Sequence, residues 1–203
     1  MLSTNIEMNI KEINTLIILN LLKLLKRRKL IDNYNELYNT LKQEILTKTI
    51  INIPIKNNQK ISVYILNSKL NSIVQNSPID DYLSNNTNIH KFVIIKTASK
   101  KVVKQIINKY INCEFFHEHE FLEDIPDKNF IPKHEILNDE DKQYLLEKIN
   151  FKDLSHIYKT DMMARYYNAQ IDDIIKITRA NITCGKSVFY RRVIPGTVDN
   201  LFL

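Results

Sequence analysis

The sequence predicts an α+β protein of two domains, and three observations predict it. Helical and strand periodicities alternate through residues 1–126, and Pro126 and Pro132 bracket a turn-rich segment where the charge balance changes. The last third closes on two strand-like runs. Domains are therefore expected at 1–126 and 127–203. A chain of 203 residues, 44% hydrophobic and 26% charged, is long enough to bury a core without disulfides and too apolar to be disordered.

Taken in order, Ile10, Ile13, Ile17, Leu21, Leu24 and Leu25 recur at three- and four-residue steps, the stripe of an amphipathic helix within 7–30. Lys26, Arg27, Arg28 and Lys29 suit its C-terminus. Leu37, Leu41, Ile45 and Leu46 predict a second helix. The runs Ile50–Ile55 and Ile61–Leu66 read as strands joined through a turn at Asn57-Asn58. Phe92–Ile95 is a short apolar strand, after which Val102, Val103, Ile106, Ile107 and Tyr110 repeat with helical period. Past the boundary, Asn138 with Asp141 three residues on resembles a helix start, with Tyr144, Leu145 and Ile149 as its apolar stripe. Short helical turns are expected through Tyr167. Ile174–Thr178 and Val188–Ile194 then form an antiparallel pair, with Gly185 easing the turn.

Composition narrows the function. No apolar stretch approaches the roughly 20 residues of a membrane span, because Asn20 and Lys23 interrupt the best one. No secretory pattern opens the chain, and Cys113 and Cys184 are too few and too far apart for a disulfide framework, so an intracellular setting is expected. The net charge is +6, and residues 1–126 hold most of it, with 17 basic against 12 acidic side chains. That balance is compatible with a polyanionic partner.

Three constellations bear on chemistry. Cys113, His117, His119 and His134 are zinc-ligand types, but Cys-x3-His-x-His is no regular finger spacing, so the histidines are read as solvated linker residues. Gly185-Lys186-Ser187 resembles the end of a phosphate-binding loop, yet the earlier glycine that motif needs is Ala180. Asp80 and Asp81 after Pro78 match the acidic start of a nuclease motif without its remaining parts, and read instead as a helix N-terminus. No nucleophile constellation stands out. The expectation is a non-catalytic chain with no cofactor and no metal.

The last third also carries a family resemblance. Phe130-Ile131-Pro132-Lys133-His134-Glu135-Ile136-Leu137 is similar to the opening of the assembly domain of one RNA polymerase subunit, the fifth in eukaryotes and H in archaea. In register with it, Asp161-Met162-Met163-Ala164-Arg165-Tyr166-Tyr167 resembles the family's Asp-Pro-Val-Ala-Arg-Tyr-Phe-Gly, and Asp173–Arg179 resembles its Val-Val-Lys-Ile-Ile-Arg strand. Gly185–Ile194 is similar to the closing Ala-Gly-Arg-Tyr-X-X-Tyr-Arg-Leu-Val. More weakly, Ile61–Leu66 and Phe92–Lys101 resemble a strand and a strand-plus-loop of the family's jaw domain. The chain departs at Met162, Asn168, Ala180–Thr183 and Ala98, where the family has proline, glycine, Pro-Ser-Glu-Thr and proline. Together with the Asn- and Ile-rich bias, these departures point to a divergent copy from a large DNA virus with an AT-rich genome. Asn168 can still supply the left-handed turn of the missing glycine.

The resemblance implies a jaw domain over 1–126 and an assembly domain of short helices and a β-hairpin over 127–203. Its implied function is that of a non-catalytic subunit of a multisubunit DNA-directed RNA polymerase, with catalysis on other chains. The implied partners are the largest subunit, other polymerase subunits and, weakly, downstream duplex DNA, with no membrane. Lys96, Lys100, Lys101 and Lys104 are the expected DNA-facing group, since lysines neutralise phosphates without reading bases. Pro132, His134, Arg165, Tyr166, Arg179, Tyr190 and Arg191 are the expected subunit-interface residues, with Tyr166 and Tyr190 equally readable as core. A virion, viral factory or host nucleus is the implied location, and a free-standing DNA-binding transcription regulator is the alternative.

Overall fold

The computed structural model describes residues 9–110, 112–181 and 185–202. They gather into two compact units, one ending at Asp124 and the other beginning at Ile125, and each combines helices with one sheet.

In the first unit, α1 (Ile10–Arg27) opens on a capping box, in which Asn9 accepts from the Lys11 amide and Glu12 reaches back to the Asn9 amide. Its buried stripe is Ile17, Ile18, Leu21, Leu22, Leu24 and Leu25, whereas Ile10 is 57% exposed, so the core begins later than the sequence pattern does. Helix α2 (Tyr34–Thr47) packs beside it. Strands β1 (Ile50–Pro54) and β2 (Lys60–Leu70) pair antiparallel, and both Asn57 and Asn58 between them take positive φ. Then follow α3 (Pro78–Ser84), β3 (His90–Ala98), α4 (Lys100–Lys109) and β4 (Cys113–His117), in a sheet of order β1-β2-β3-β4. The β2/β3 and β3/β4 pairs are parallel, which the intervening helices make possible. Strands β2 and β3 lie central and are buried on both faces, giving the unbroken apolar runs Val63–Ile65 and Phe92–Ile95.

The sequence reading did not mark β4. A 3₁₀ turn at Glu118–Phe121 ends it, breaking the pleat between His117 and His119. His117 and His134 are buried, not solvated linker residues; only His119 of the three is exposed.

In the second unit, β5 (Lys133–Ile136), α5 (Asp139–Leu146), β6 (Ser155–Tyr158), α6 (Met162–Tyr166), β7 (Ile174–Asn181) and β8 (Gly185–Ile194) form a sheet of order β5-β7-β8-β6. The expected β7/β8 pair is its centre, with β5 antiparallel to β7 and β6 parallel to β8. Where helical turns were expected through Tyr167, Ser155–Tyr158 is a strand. Asn138 caps α5 through the Asp141 amide, but of the anticipated stripe only Leu145 is buried, with Tyr144 61% and Ile149 39% exposed. Asn168 takes φ +54, the left-handed turn expected of it, and Gly185 takes φ +74. Residues 182–184, where the sequence predicts a turn, lie outside the described residues.

Two clusters sandwich this sheet. Ile157, Ala164, Ala169, Ile175, Ile177 and Val193 join one face to α6, while Leu145, Leu154 and Ile174, with Phe151 and Tyr190 against them, join the other to α5.

Candidate functional site

No three His, Cys, Asp or Glu side chains among the described residues gather as a metal site, and no described helix is long and apolar enough to cross a membrane. Ser77 caps α3 by accepting from the Asp80 amide, so Asp80 and Asp81 do sit in a first helical turn. Asp80 accepts from the Tyr110 hydroxyl at 2.6 Å and from the Asn76 amide, and these bonds hold its carboxyl below the usual range. Tyr110, Asn76 and, at 3.6 Å, Lys109 thus engage it within the first unit.

The expected DNA-facing lysines come together at one end of the first sheet. Ser99 caps α4, and Val102, Val103 and Ile106 bury its inner face, which leaves Lys100, Lys101 and Lys104 exposed on the outer one. Lys96, near the end of β3, is exposed too. Sequence reasoning missed Lys69, which is exposed on β2 opposite Thr97, beyond a register shift that pattern alone does not reveal.

The other basic cluster is committed internally. Both Nη atoms of Arg28 bond the Glu114 carboxylate at 2.7 Å, and His90 Nε2 lies 2.6 Å from it. Burial works to raise the Glu114 pKa, but the bonds and charges of Arg28 and His90 outweigh it and hold the group at about 2. Arg27 and Lys23 similarly pair with Asp124, whose carboxyl is lowered against the opposing effect of burial. Of Lys26–Lys29, only the two lysines remain exposed.

In the second unit, the expected interface residues divide by register. His134 pairs with Ile177, Ile177 with Phe189, Ile175 with Arg191 and Arg179 with Ser187, so His134, Arg179 and Arg191 share one face of the sheet. Tyr190 belongs to the other face, half-buried against the Leu145 cluster. Arg179 and Arg191 are exposed, Pro132 and Arg165 half-buried, and Tyr166 and His134 buried. His134 Nδ1 lies 2.7 Å from the Pro132 carbonyl oxygen, and burial pushes its pKa down. Sequence reasoning also missed Phe189, 52% exposed, and Ile136, 36% exposed; both looked like ordinary strand residues until the register placed them.

The first unit is basic with exposed lysines at α4, and the second is a small sheet unit that exposes arginines and Phe189 on its strands. Comparison with known proteins specifies the chain further. The family described as RNA polymerase Rpb5, C-terminal domain, matches residues 123–193. The chain is 39% identical over 72 residues to the DNA-directed RNA polymerase subunit Rpo5 of Archaeoglobus fulgidus, covering 95% of that protein and 34% of this one. It is 26% identical over 144 residues to DNA-directed RNA polymerase subunit 5 of Acanthamoeba polyphaga mimivirus, 70% of this chain and 69% of that one. With the RPABC1 subunit of RNA polymerases I, II and III from Caenorhabditis elegans it shares 31% over 108 residues, about half of either chain (50% and 51%). The chain belongs to the Rpb5/Rpo5 family of RNA polymerase subunits.

Proposed function

We propose that this chain is a non-catalytic subunit of a multisubunit DNA-directed RNA polymerase, acting in viral transcription. Residues 127–203 serve as an assembly domain on the largest subunit, and residues 1–126 serve as a jaw beside downstream duplex. The observation that carries the proposal is coverage: the stretch similar to archaeal Rpo5 is nearly the whole of that protein, so the relative is a polymerase subunit essentially without the first unit. The first unit, which holds the exposed lysines, then adds phosphate attraction to a chain anchored elsewhere. The mimivirus relative supports the viral setting.

A tagged pull-down from infected or native cells, washed at high salt and read by mass spectrometry, tests this. Equimolar recovery of the two largest polymerase chains is expected. Recovery of this chain alone would refute the subunit reading in favour of a free regulator.

A further inference from the structure

One row across the first sheet is polar where the next is apolar. Asn52 of β1 stands opposite Ser62 of β2, and Ser62 opposite Lys91 of β3, so the three share a face, whereas the adjacent row is Ile51, Val63 and Phe92. A cavity of about 360 Å³ opens between this polar row and α3, lined by these three side chains, by Asp81 and Tyr82 of α3 and by Lys60. Lys91 is only 3% exposed. Its ammonium donates to the Leu83 carbonyl at 2.9 Å and to that of Asn85, which closes the C-terminus of α3. Those bonds use two of its three donors. No carboxylate pairs with it among the described residues: the titratable side chain that acts on it is the Cys113 thiol, and Asp81, the one acidic group in the lining, is exposed. The Tyr82 ring centroid lies 5.5 Å from Lys91 Nζ, and the Tyr82 hydroxyl is buried without a hydrogen bond among the described residues, with Ser62 the side chain that acts on it.

We propose that this cavity binds a small organic anion, whose carboxylate or phosphate group is held by Lys91 with the Tyr82 and Ser62 hydroxyls as further donors. A buried ammonium without a counter-charge and a buried hydroxyl without an acceptor are both costly, and a single oxyanion answers both. The lining carries two lysines against one aspartate, which disfavours a cation. The volume falls at the lower end of the roughly 300–1,000 Å³ that small-molecule sites occupy, and Ile50 and Ile89 give the cavity apolar wall, so it suits a compact organic body better than a bare ion. Duplex DNA is the wrong shape for it. Lys91 lies at the start of β3, about 16 Å of strand from Lys96 near its end, and a cavity of this size admits no duplex backbone. The proposal is independent of the subunit reading above, since it concerns the first unit alone and its test needs no other polymerase chain.

Isothermal titration of the full chain at pH 7 with succinate and, separately, with glycerol 2-phosphate tests this, with sodium chloride at matched ionic strength as the control. Saturable binding of at least one probe, one per chain and absent with chloride, is expected. The tighter of the two identifies the oxyanion as carboxylate or phosphate. Lys91→Met and Tyr82→Phe should each weaken that binding by about tenfold or more, the loss of a charge-assisted hydrogen bond. Lys101→Gln with Lys104→Gln, on α4, should leave it unchanged. Circular dichroism melts of each variant separate lost binding from lost folding, and if Lys91→Met does not fold, Tyr82→Phe decides, because it removes only an unpaired hydroxyl. Binding of neither probe overturns the proposal, as does binding that survives in folded Tyr82→Phe and Lys91→Met. Equal loss in the α4 double variant overturns it in favour of diffuse attraction by surface lysines.

Discussion

Replacing Glu114 with Gln should unfold the first unit far more readily than its place on an edge strand suggests. The carboxylate accepts both Nη donors of Arg28 at 2.7 Å, and the Arg28 side chain is only 6% exposed. Its pKa is held at about 2 against an ordinary 4.5, a difference of about 2.5 units; at about 1.4 kcal/mol per unit this is about 3 kcal/mol of stability. Because the folded pKa lies below the unfolded one, that contribution is complete above pH 4.5 and is lost as pH falls toward 2. Gln removes the charge and strands a buried guanidinium, which costs about 3–5 kcal/mol, a large share of a marginal unit's total. Urea unfolding followed by hydrogen exchange and mass spectrometry reads each unit by its own peptides. The expected result is a lowered midpoint at pH 7, confined to peptides of residues 9–124, and a flattened pH dependence between 4.5 and 2. A change within about 0.5 kcal/mol at pH 7 would refute the reasoning. So would failure of the double variant Arg28→Met with Glu114→Leu to recover most of the loss, since an apolar pair has no stranded charge.

Three further outcomes are expected. A Cβ on Gly196 would sit 2.2 Å from Thr160 Oγ1, so Gly196→Ala should destabilise the second unit by about 1–3 kcal/mol in urea melts. Adding Thr160→Ala should restore most of that, and by itself should cost little, because Thr160 Oγ1 is buried without a hydrogen-bond partner. Burial pushes the Cys113 thiol up to about 12, against the opposing pull of Lys91. Iodoacetamide at pH 8, read by peptide mass spectrometry, should therefore label it at least about a hundredfold more slowly in the native chain than in urea. Equal rates would show an accessible thiolate. Lys100→Glu, Lys101→Glu and Lys104→Glu together should lower the salt-sensitive DNA affinity of the polymerase complex while leaving assembly intact; an unchanged salt slope would rule out phosphate contact by these lysines.

Local readings survived wherever neighbouring residues along the chain decide the outcome. Asn138 accepts from the amide three residues on, and Asn57, Asn58 and Asn168 turn left-handed because a short polar side chain tolerates that conformation. Periodicity located α1, α4 and β3 because each buries a stripe or run long enough to impose a pattern. The sequence left β4 and β5 unmarked and predicted helical turns over β6; these strands are four or five residues each, and their strand character comes from pairing with distant strands. His134 reads as polar in the chain and is buried in a strand that pairs with β7, where it stands opposite Ile177.

By itself, then, the sequence determined the α+β class, the capped helices, the central hairpin of the second unit and the family, because local propensity and motif order lie within the chain. Only the tertiary structure decided which cations are spent. Arg28 lies within a few residues of the exposed Lys26 and Lys29, yet its counter-ion is Glu114, 86 residues away, across a pairing that no local pattern specifies. It likewise decided which side chains share a face: strand side chains alternate, so one residue of register sets Phe189 beside Arg179 and Arg191 and leaves Tyr190 against the core.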